Sequence, residues 1–504
     1  MGQVLLWGLS AGLSYSAPEL DSAEQFVWAF SMESGYWKHP PLPSWIMRAL
    51  IDVFGPSVML PFVATQVCIV TALALVWRLG CEFMSPARAL IAVALTSLVT
   101  YHNIGGDSFN HNTVLLPFQA ATVLFFYLAT RRNTWRLWAL AGLFAGLSML
   151  VKYVALMPLA GLLVYFAFDR NLHRRRTLLG LLLAICVFGL VLVPHLVWLQ
   201  RTDFLPLRYA REVTRDLPGA WATLRSLADF LLTQFLRLLP LLAGFWFVAR
   251  RGRAAAQFPA ALLAPAMARN DHLFLWIAAF APLTITVLVG LLSASALQAR
   301  WGTNAFLLSG LLGMALLRRA DTPAMLRRSL QVVVAVHVLL CAGQTLSKTV
   351  VADHFERRTR ANFPGAVLAR NALATWQANT GVPLRLVVSD IWLGGNLIAN
   401  GTPRLAVLID GYHLRSPWVK LDAVERCGAL VLDDTTEDAA GHATPSPALE
   451  ALMDRADVRG TWILPWSHAK HSTTAEDRGV IRWGVIKPTS SKPCPLDRSA
   501  GQFY

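Results

Sequence analysis

The sequence predicts a polytopic α-helical membrane protein of about 11 transmembrane helices with a small C-terminal α/β outer domain, and three observations carry that prediction. Apolar stretches of about 20 residues recur from the N-terminus to about residue 347 and nearly vanish afterwards. The mean hydropathy of +0.47, with only 15% charged residues, is too apolar for a soluble chain. The arginines behind the net charge of +15 fall in short loops between apolar stretches, so they signal topology, and no nucleic-acid partner is expected.

Spans are expected near 57–77, 89–104, 112–130, 137–151, 153–168, 177–199, 227–249, 272–297, 302–317 and 329–347. The basic clusters then occupy every second loop: Arg78 and Arg88; Arg131, Arg132 and Arg136; Arg170 and Arg174 to Arg176; Arg250, Arg251 and Arg253; Arg318, Arg319, Arg327 and Arg328. The positive-inside rule puts these loops in the cytoplasm and 15–56, 105–111, 200–226, 298–301 and the tail after 348 outside. Residues 1–14 form one further apolar run, too short to cross a core of ~30 Å at 1.5 Å per residue, so either the start is truncated or the first helix is short. The expected domains are thus a transmembrane domain, 1–347, and a soluble α/β domain, 348–504, on the periplasmic side of the plasma (inner) membrane. Cys427 and Cys494 both fall in the outer domain, where a bridge is permitted but not fixed by spacing.

Between the first apolar run and residue 57, Ala23, Phe26, Val27 and Phe30 recur at helical spacing, which predicts an interfacial amphipathic helix over 21–34. The run His39-Pro40-Pro41-Leu42-Pro43 breaks it, and a second interfacial helix is expected at 44–54. In the outer domain, 384–390, 404–410, 429–434 and 462–467 read as strands, with helices near 361–379, 417–427 and 446–455. Gly394-Gly395 lacks the spacing of a phosphate-binding glycine loop, which argues against a nucleotide site.

Asp21 and Glu24 lie three apart, so a helix puts both carboxylates on one face. The spacing fits an N-cap with its capping-box partner well, and that role does not exclude a carboxylate that takes a proton from an attacking hydroxyl. In the second outer loop, YHNIGGDSFNHNT, polar groups crowd the start of an apolar span; His102, Asp107, Asn110, His111 and Asn112 are candidates for a cavity lining, or for a turn and helix cap. Lys152, between two apolar stretches, either snorkels to the interface or binds an anion. Arg300 breaks the positive-inside pattern and offers a fork for phosphate oxygens, while the adjacent Trp301 reads most simply as an interface-belt residue.

The segment LDSAEQFVWAF…GYWKHPPLPSWI resembles the first outer loop of the GT-C superfamily of membrane glycosyltransferases, in the protein mannosyltransferase and aminoarabinose transferase branch (glycosyltransferase families 39 and 83). The resemblance extends to Lys152-Tyr153 and Arg300-Trp301 and is much weaker in the outer domain. It implies Asp21 as general base with Glu24 one turn on, Lys38, His39, Lys152 and Arg300 around a donor lipid phosphate, and Tyr36 in the motif's aromatic position. Similar enzymes often carry Asp where Asn112 stands, with Asp107 a substitute five residues upstream. The implied activity is inverting transfer of a sugar from a polyprenyl-phosphate donor to an envelope acceptor: lipid A, a polysaccharide, a glycolipid or a protein. No cofactor is expected, and divalent metal dependence is left open. The rival readings are a transporter or lipid flippase and a non-catalytic subunit that binds polyprenyl phosphate. Clustering of the polar residues at one interface, rather than at broken midplane helices, favours chemistry.

Overall fold

The computed structural model describes residues 1–504 except 214–216, 252–266, 318–321, 356, 403, 437–444, 466–477 and 498–504. Six described helices are long and apolar enough to cross a membrane: Leu60–Gly80, His111–Arg132, Arg175–Arg201, Gly219–Arg250, Arg269–Leu292 and Pro323–His354. The other five expected spans are shorter helices, Gly2–Ser14, Pro86–Thr96, Trp135–Val151, Leu156–Phe168 and Ser309–Leu316.

Two of these are cut short for visible reasons. After Pro86–Thr96, the Asn103 amide donates to the carbonyls of Ser97 (2.9 Å) and Val99 (3.1 Å), which diverts them from a continuing helical ladder. Ahead of Ser309–Leu316, the Asn304 carbonyl accepts from Gln119 Nε2 at 3.1 Å. Arg88, expected as a loop charge, is instead buried and donates to the carbonyls of Met314 and Leu317. Arg253, Arg318 and Arg319 lie outside the described residues.

The first interfacial helix runs only over Leu20–Trp28 rather than to residue 34. Tyr36 explains the stop: its hydroxyl bonds the carbonyls of Trp28 (2.9 Å) and Ser31 (2.7 Å). The second spans Leu42–Phe54, with Pro43 in its first turn, where a missing N–H is tolerated.

The C-terminal part contains a five-stranded sheet: β1 (Leu386–Ser389), β2 (Ala406–Ile409), β3 (Ala429–Asp434), β4 (Val458–Pro465) and β5 (Arg478–Ile486), in the order β2-β1-β3-β5-β4. β1 pairs in parallel with β2 and β3, while β5 is antiparallel to β3 and β4. The expected helices appear as Gly365–Asn379, Ala423–Cys427 and Pro447–Asp454, and Cys427 is bonded to Cys494. Residues 466–467 of the last expected strand lie outside the described residues.

Helix Ile391–Ala399 was not anticipated, and it connects this sheet to the first interfacial helix. Asp390 caps it, accepting from the Leu393 amide at 2.8 Å. A Cβ at Gly395 would stand 2.5 Å from the Ala23 carbonyl oxygen, so only glycine lets the two helices approach this closely. One apolar core runs through the contact, from Phe26, Val27 and Trp28 to Leu393, Leu397 and the buried β1 residues.

Candidate functional site: a cavity of carboxylates and cations

Five segments far apart in sequence meet around a cavity of about 390 Å³: helix Leu20–Trp28, the His39-Pro40 turn, the start of helix His111–Arg132, the break at Lys152 and the short turn Ala299–Gly302. All five are segments that the arginine pattern assigns to one side of the membrane. Of the candidates named from sequence, Asp21, Glu24, Lys38, His39, Asn110, His111, Asn112, Lys152, Arg300 and Trp301 line this space.

Asp21 sits one residue inside its helix, with Glu19 at the N-cap, so it makes no capping box with Glu24. Its Oδ2 accepts from Asn110 Nδ2 at 3.3 Å. The Asn110 side-chain Oδ1 meanwhile accepts from the backbone amides of Asn112 (2.9 Å) and Thr113 (3.1 Å). Asn110 therefore both caps its own helix and touches Asp21. Glu24, buried, takes a bond from Lys38 Nζ at 2.6 Å. Burial raises its carboxyl above the ordinary range, and Lys38 opposes that rise.

The cations differ in their partners. Lys38 gives its charge to Glu24 and lies 4.7 Å from the Trp37 ring centroid. Lys152 donates to Asn112 Oδ1 at 2.6 Å, and Arg300 Nε donates to Gln298 Oε1 at 2.7 Å. Both are thus oriented by neutral amides. His39 stacks near His111, with ring centroids 4.1 Å apart. Burial pushes the His39 imidazole well below its ordinary value, helped by the nearby His111 and Lys152, so it is neutral at pH 7 and does not add to the cationic set.

Three candidates lie elsewhere. Tyr36 is buried behind the site, stacked on Trp28 at 4.8 Å, and its hydroxyl serves the helix end described above. His102 is buried with Nδ1 on the Thr96 carbonyl at 2.9 Å. Asp107 does not stand in for the acid missing at Asn112: its carboxylate binds the Tyr15 hydroxyl (2.6 Å) and Lys348 Nζ (3.4 Å) near the end of helix Gly2–Ser14. Among the described residues no group of three His, Cys, Asp or Glu side chains is gathered to hold a metal ion.

Sequence reasoning missed part of the lining. Tyr209 faces the cavity beside Pro206, whereas its neighbour Arg208 is exposed and pairs with Asp203. Thr286 and Val289 lie in the apolar second half of helix Arg269–Leu292, where nothing in the sequence marks them out. A second cavity of about 310 Å³ shares Asp21, Glu24 and Lys38 and is closed by Trp37, Trp392, Asp390, Asp410 and Arg415.

Comparison with known proteins bears on this geometry. Residues 38–198 match the family described as dolichyl-phosphate-mannose-protein mannosyltransferase, a stretch that includes Lys38, His39, Asn112 and Lys152 but not Asp21 or Arg300. Over 186 residues the chain is 29% identical to the lipopolysaccharide core galacturonosyltransferase RgtA of Rhizobium johnstonii, covering 36% of this chain and 37% of the relative. Over 255 residues it is 26% identical to the lipid A galacturonosyltransferase RgtD of the same organism, covering 47% and 50%. The matched stretches thus span half or less of these curated relatives. Across nearly the whole chain the fold matches crystal structures of ArnT from Cupriavidus metallidurans. The apo state aligns with TM-score 0.55, 14% identity, and 95% and 96% coverage. The undecaprenyl phosphate-bound state aligns with TM-score 0.55, 12% identity and 96% of each chain.

Proposed function

We infer that this chain, which belongs to the GT-C superfamily of membrane glycosyltransferases, moves a sugar from a polyprenyl-phosphate donor to an envelope acceptor at the outer face of the plasma membrane. The observation that carries the reading is the juxtaposition of Asp21 with two cations, Lys152 and Arg300, that neutral amides orient without cancelling their charge. A departing polyprenyl phosphate needs such charge, because its negative charge grows as the sugar–oxygen bond breaks. The relatives' action on lipid A and lipopolysaccharide core, and the undecaprenyl phosphate in one matched structure, support this donor and acceptor class.

In this mechanism an acceptor hydroxyl attacks the anomeric carbon in line, Asp21 takes its proton, and the phosphate leaves towards Lys152 and Arg300 with inversion at that carbon. The Cys427–Cys494 disulfide supports an outer, oxidising location for the C-terminal part. A transporter would need polar groups along a path through the bilayer, whereas here ten of the candidate residues gather around a cavity beside a carboxylate.

The test is turnover of the full chain in lipid nanodiscs with undecaprenyl-phosphate-linked sugars. Removing one member of a desolvated charge contact costs about 2–5 kcal/mol, so Lys152→Ala should raise the donor KM or lower kcat/KM by about 30-fold or more, while Arg300→Ala, at an exposed side chain that solvent screens, should act in the same direction with a smaller effect. Donor use unchanged in both variants would remove the reading. Chelation with EDTA is expected to leave turnover intact, and restoration by Mg²⁺ or Mn²⁺ after loss would reassign Asp21 and Glu24 as metal ligands.

A further inference from the structure

Asp21, Glu24 and Lys38 line two cavities, and the second is walled by side chains of the C-terminal sheet region. Asp390 and Asp410 stand directly after the parallel strands β1 and β2, at their carboxyl ends, the edge where open parallel sheets present binding groups. That edge opens onto the catalytic helix because Gly395 lets helix Ile391–Ala399 lie against Ala23.

The two cavities differ in charge. The first sets Lys38, Lys152 and Arg300 against Asp21 and Glu24, a lining suited to phosphate. The second sets Asp21, Glu24 and Asp410 against Lys38 and Arg415, with the Asp390 carboxyl, pushed towards its protonated form by burial, beside them; Lys38 is bound to Glu24 and Arg415 to Asp410, each at 2.6 Å, which leaves Asp21 without an ion-pair partner among the described residues. An anionic group entering there meets carboxylates at short range, whereas a sugar hydroxyl meets acceptors for its proton. Trp37 and Trp392 add aromatic walls, the Trp37 ring lying 4.7 Å from Lys38 Nζ and 4.8 Å from the Arg415 guanidinium.

We propose that this second cavity is the acceptor site, that Asp410 determines its specificity, and that it takes a neutral sugar and discriminates against one bearing a carboxylate or phosphate beside the reacting hydroxyl. The proposal rests on the transferase reading above. With the donor phosphate in the first cavity and the acceptor in the second, the anomeric carbon lies between them, next to Asp21. The acceptor oxygen then forms its bond to that carbon as the carbon–phosphate oxygen bond breaks. The hydroxyl proton goes to Asp21, and the bonding electron pair leaves with the polyprenyl phosphate.

The experiment uses the full chain in nanodiscs with undecaprenyl-phosphate-linked sugar and two probes, octyl glucoside and octyl glucuronide, and follows two products. Transfer to the glycoside reports the acceptor site, while polyprenyl phosphate released by water without glycoside reports the donor site alone. The expected result is at least tenfold preference for the neutral glycoside. Asp410→Asn should lower acceptor kcat/KM about tenfold through one lost hydroxyl contact, leave donor hydrolysis within twofold, and be partly rescued by Asp410→Glu. Equal use of both glycosides, transfer to neither while water still releases the phosphate, or parallel loss of hydrolysis in Asp410→Asn would each overturn the proposal. An enzyme that consumes no donor under any condition would instead overturn the transferase reading itself, and this proposal with it.

Discussion

Replacing Asp21 by Asn separates the chemistry from the fold, because the structure gives Asp21 little architectural work. Glu19, not Asp21, holds the N-cap position, and the single contact described for the carboxylate is a 3.3 Å bond from Asn110 Nδ2 that an amide oxygen can also accept. An acid in a first helical turn is worth about 0.3–1 kcal/mol through the helix dipole, so the variant should unfold within about 1 kcal/mol of the parent. Loss of a general base costs about 10²–10⁴-fold in rate, which is about 2.7–5.4 kcal/mol of barrier. Lys152 and Arg300 are untouched, so binding of undecaprenyl phosphate should persist. The assay is turnover with lipid-linked sugar, run beside thermal unfolding and lipid binding on the same preparation. Turnover within about threefold of the parent would refute the assignment of Asp21 as base, whereas loss of lipid binding together with turnover would mean that Asp21 organises the cavity instead.

Four other outcomes follow from the same geometry. Cysteines placed at 131–136 and 170–176 should be labelled from the cytoplasm, and those at exposed Leu414 and Leu421 from outside; the reverse would strand Asp21 on the wrong face. Gly395→Ala should destabilise by about 1–3 kcal/mol and depress turnover, because its Cβ lies 2.6 Å from that of Ala23, while Gly343→Ala, where the methyl meets nothing, serves as control. Asn112→Asp should lower donor kcat/KM about tenfold by neutralising Lys152 at 2.6 Å, with kcat falling as well because the charge on the departing phosphate grows in the transition state. Burial pushes the Asp390 carboxyl from 3.8 up to about 7, so the folded state favours its protonated form and stability falls as pH rises from about 4 through about 7; Asp390→Asn, which keeps the cap, should remove a stability change of about 4 kcal/mol across that window in a denaturation series.

Much of the fold was legible because lipid forces long apolar runs and the arginines mark alternate loops. The shortened helices were not, since they end where Asn103, Gln119 and Tyr36 capture backbone carbonyls, and such captures depend on tertiary neighbours. Strand β5 was hidden by Gly479, Gly484 and two arginines that interrupt its apolar pattern. Helix Ile391–Ala399 was hidden by a glycine pair that reads as a loop; Gly395 is there for a contact with Ala23, more than 370 positions away in sequence. The cavity-lining candidates that came together all sit beside a helix start, a proline turn or a break between spans, where a polar residue is conspicuous against apolar sequence. Asp107 and His102 were equally conspicuous but found partners within the bundle, and local sequence cannot distinguish a polar group that faces a cavity from one that is internally paired.

The resemblance implies an acid where Asn112 stands, and the neighbouring Lys152 gives the amide a physical meaning. A carboxylate 2.6 Å from Lys152 would form an ion pair and spend the lysine's charge before any donor arrived, as Glu24 does for Lys38. An amide oxygen fixes the same ammonium by one hydrogen bond and leaves its field intact, and Gln298 does the same for Arg300. The cavity thus keeps two cations that are paired to amides rather than to carboxylates, with Lys152 near enough to feel the charge of Asp21. Charge separation of this kind costs folding energy in an empty site and is recovered when a phosphate enters, so it is expected where the bound group is an anion. The carboxyl-rich second cavity shares the same wall, and the line between the two charge environments runs through Asp21 and Glu24, where a bond from sugar to phosphate would have to be exchanged for one from sugar to hydroxyl.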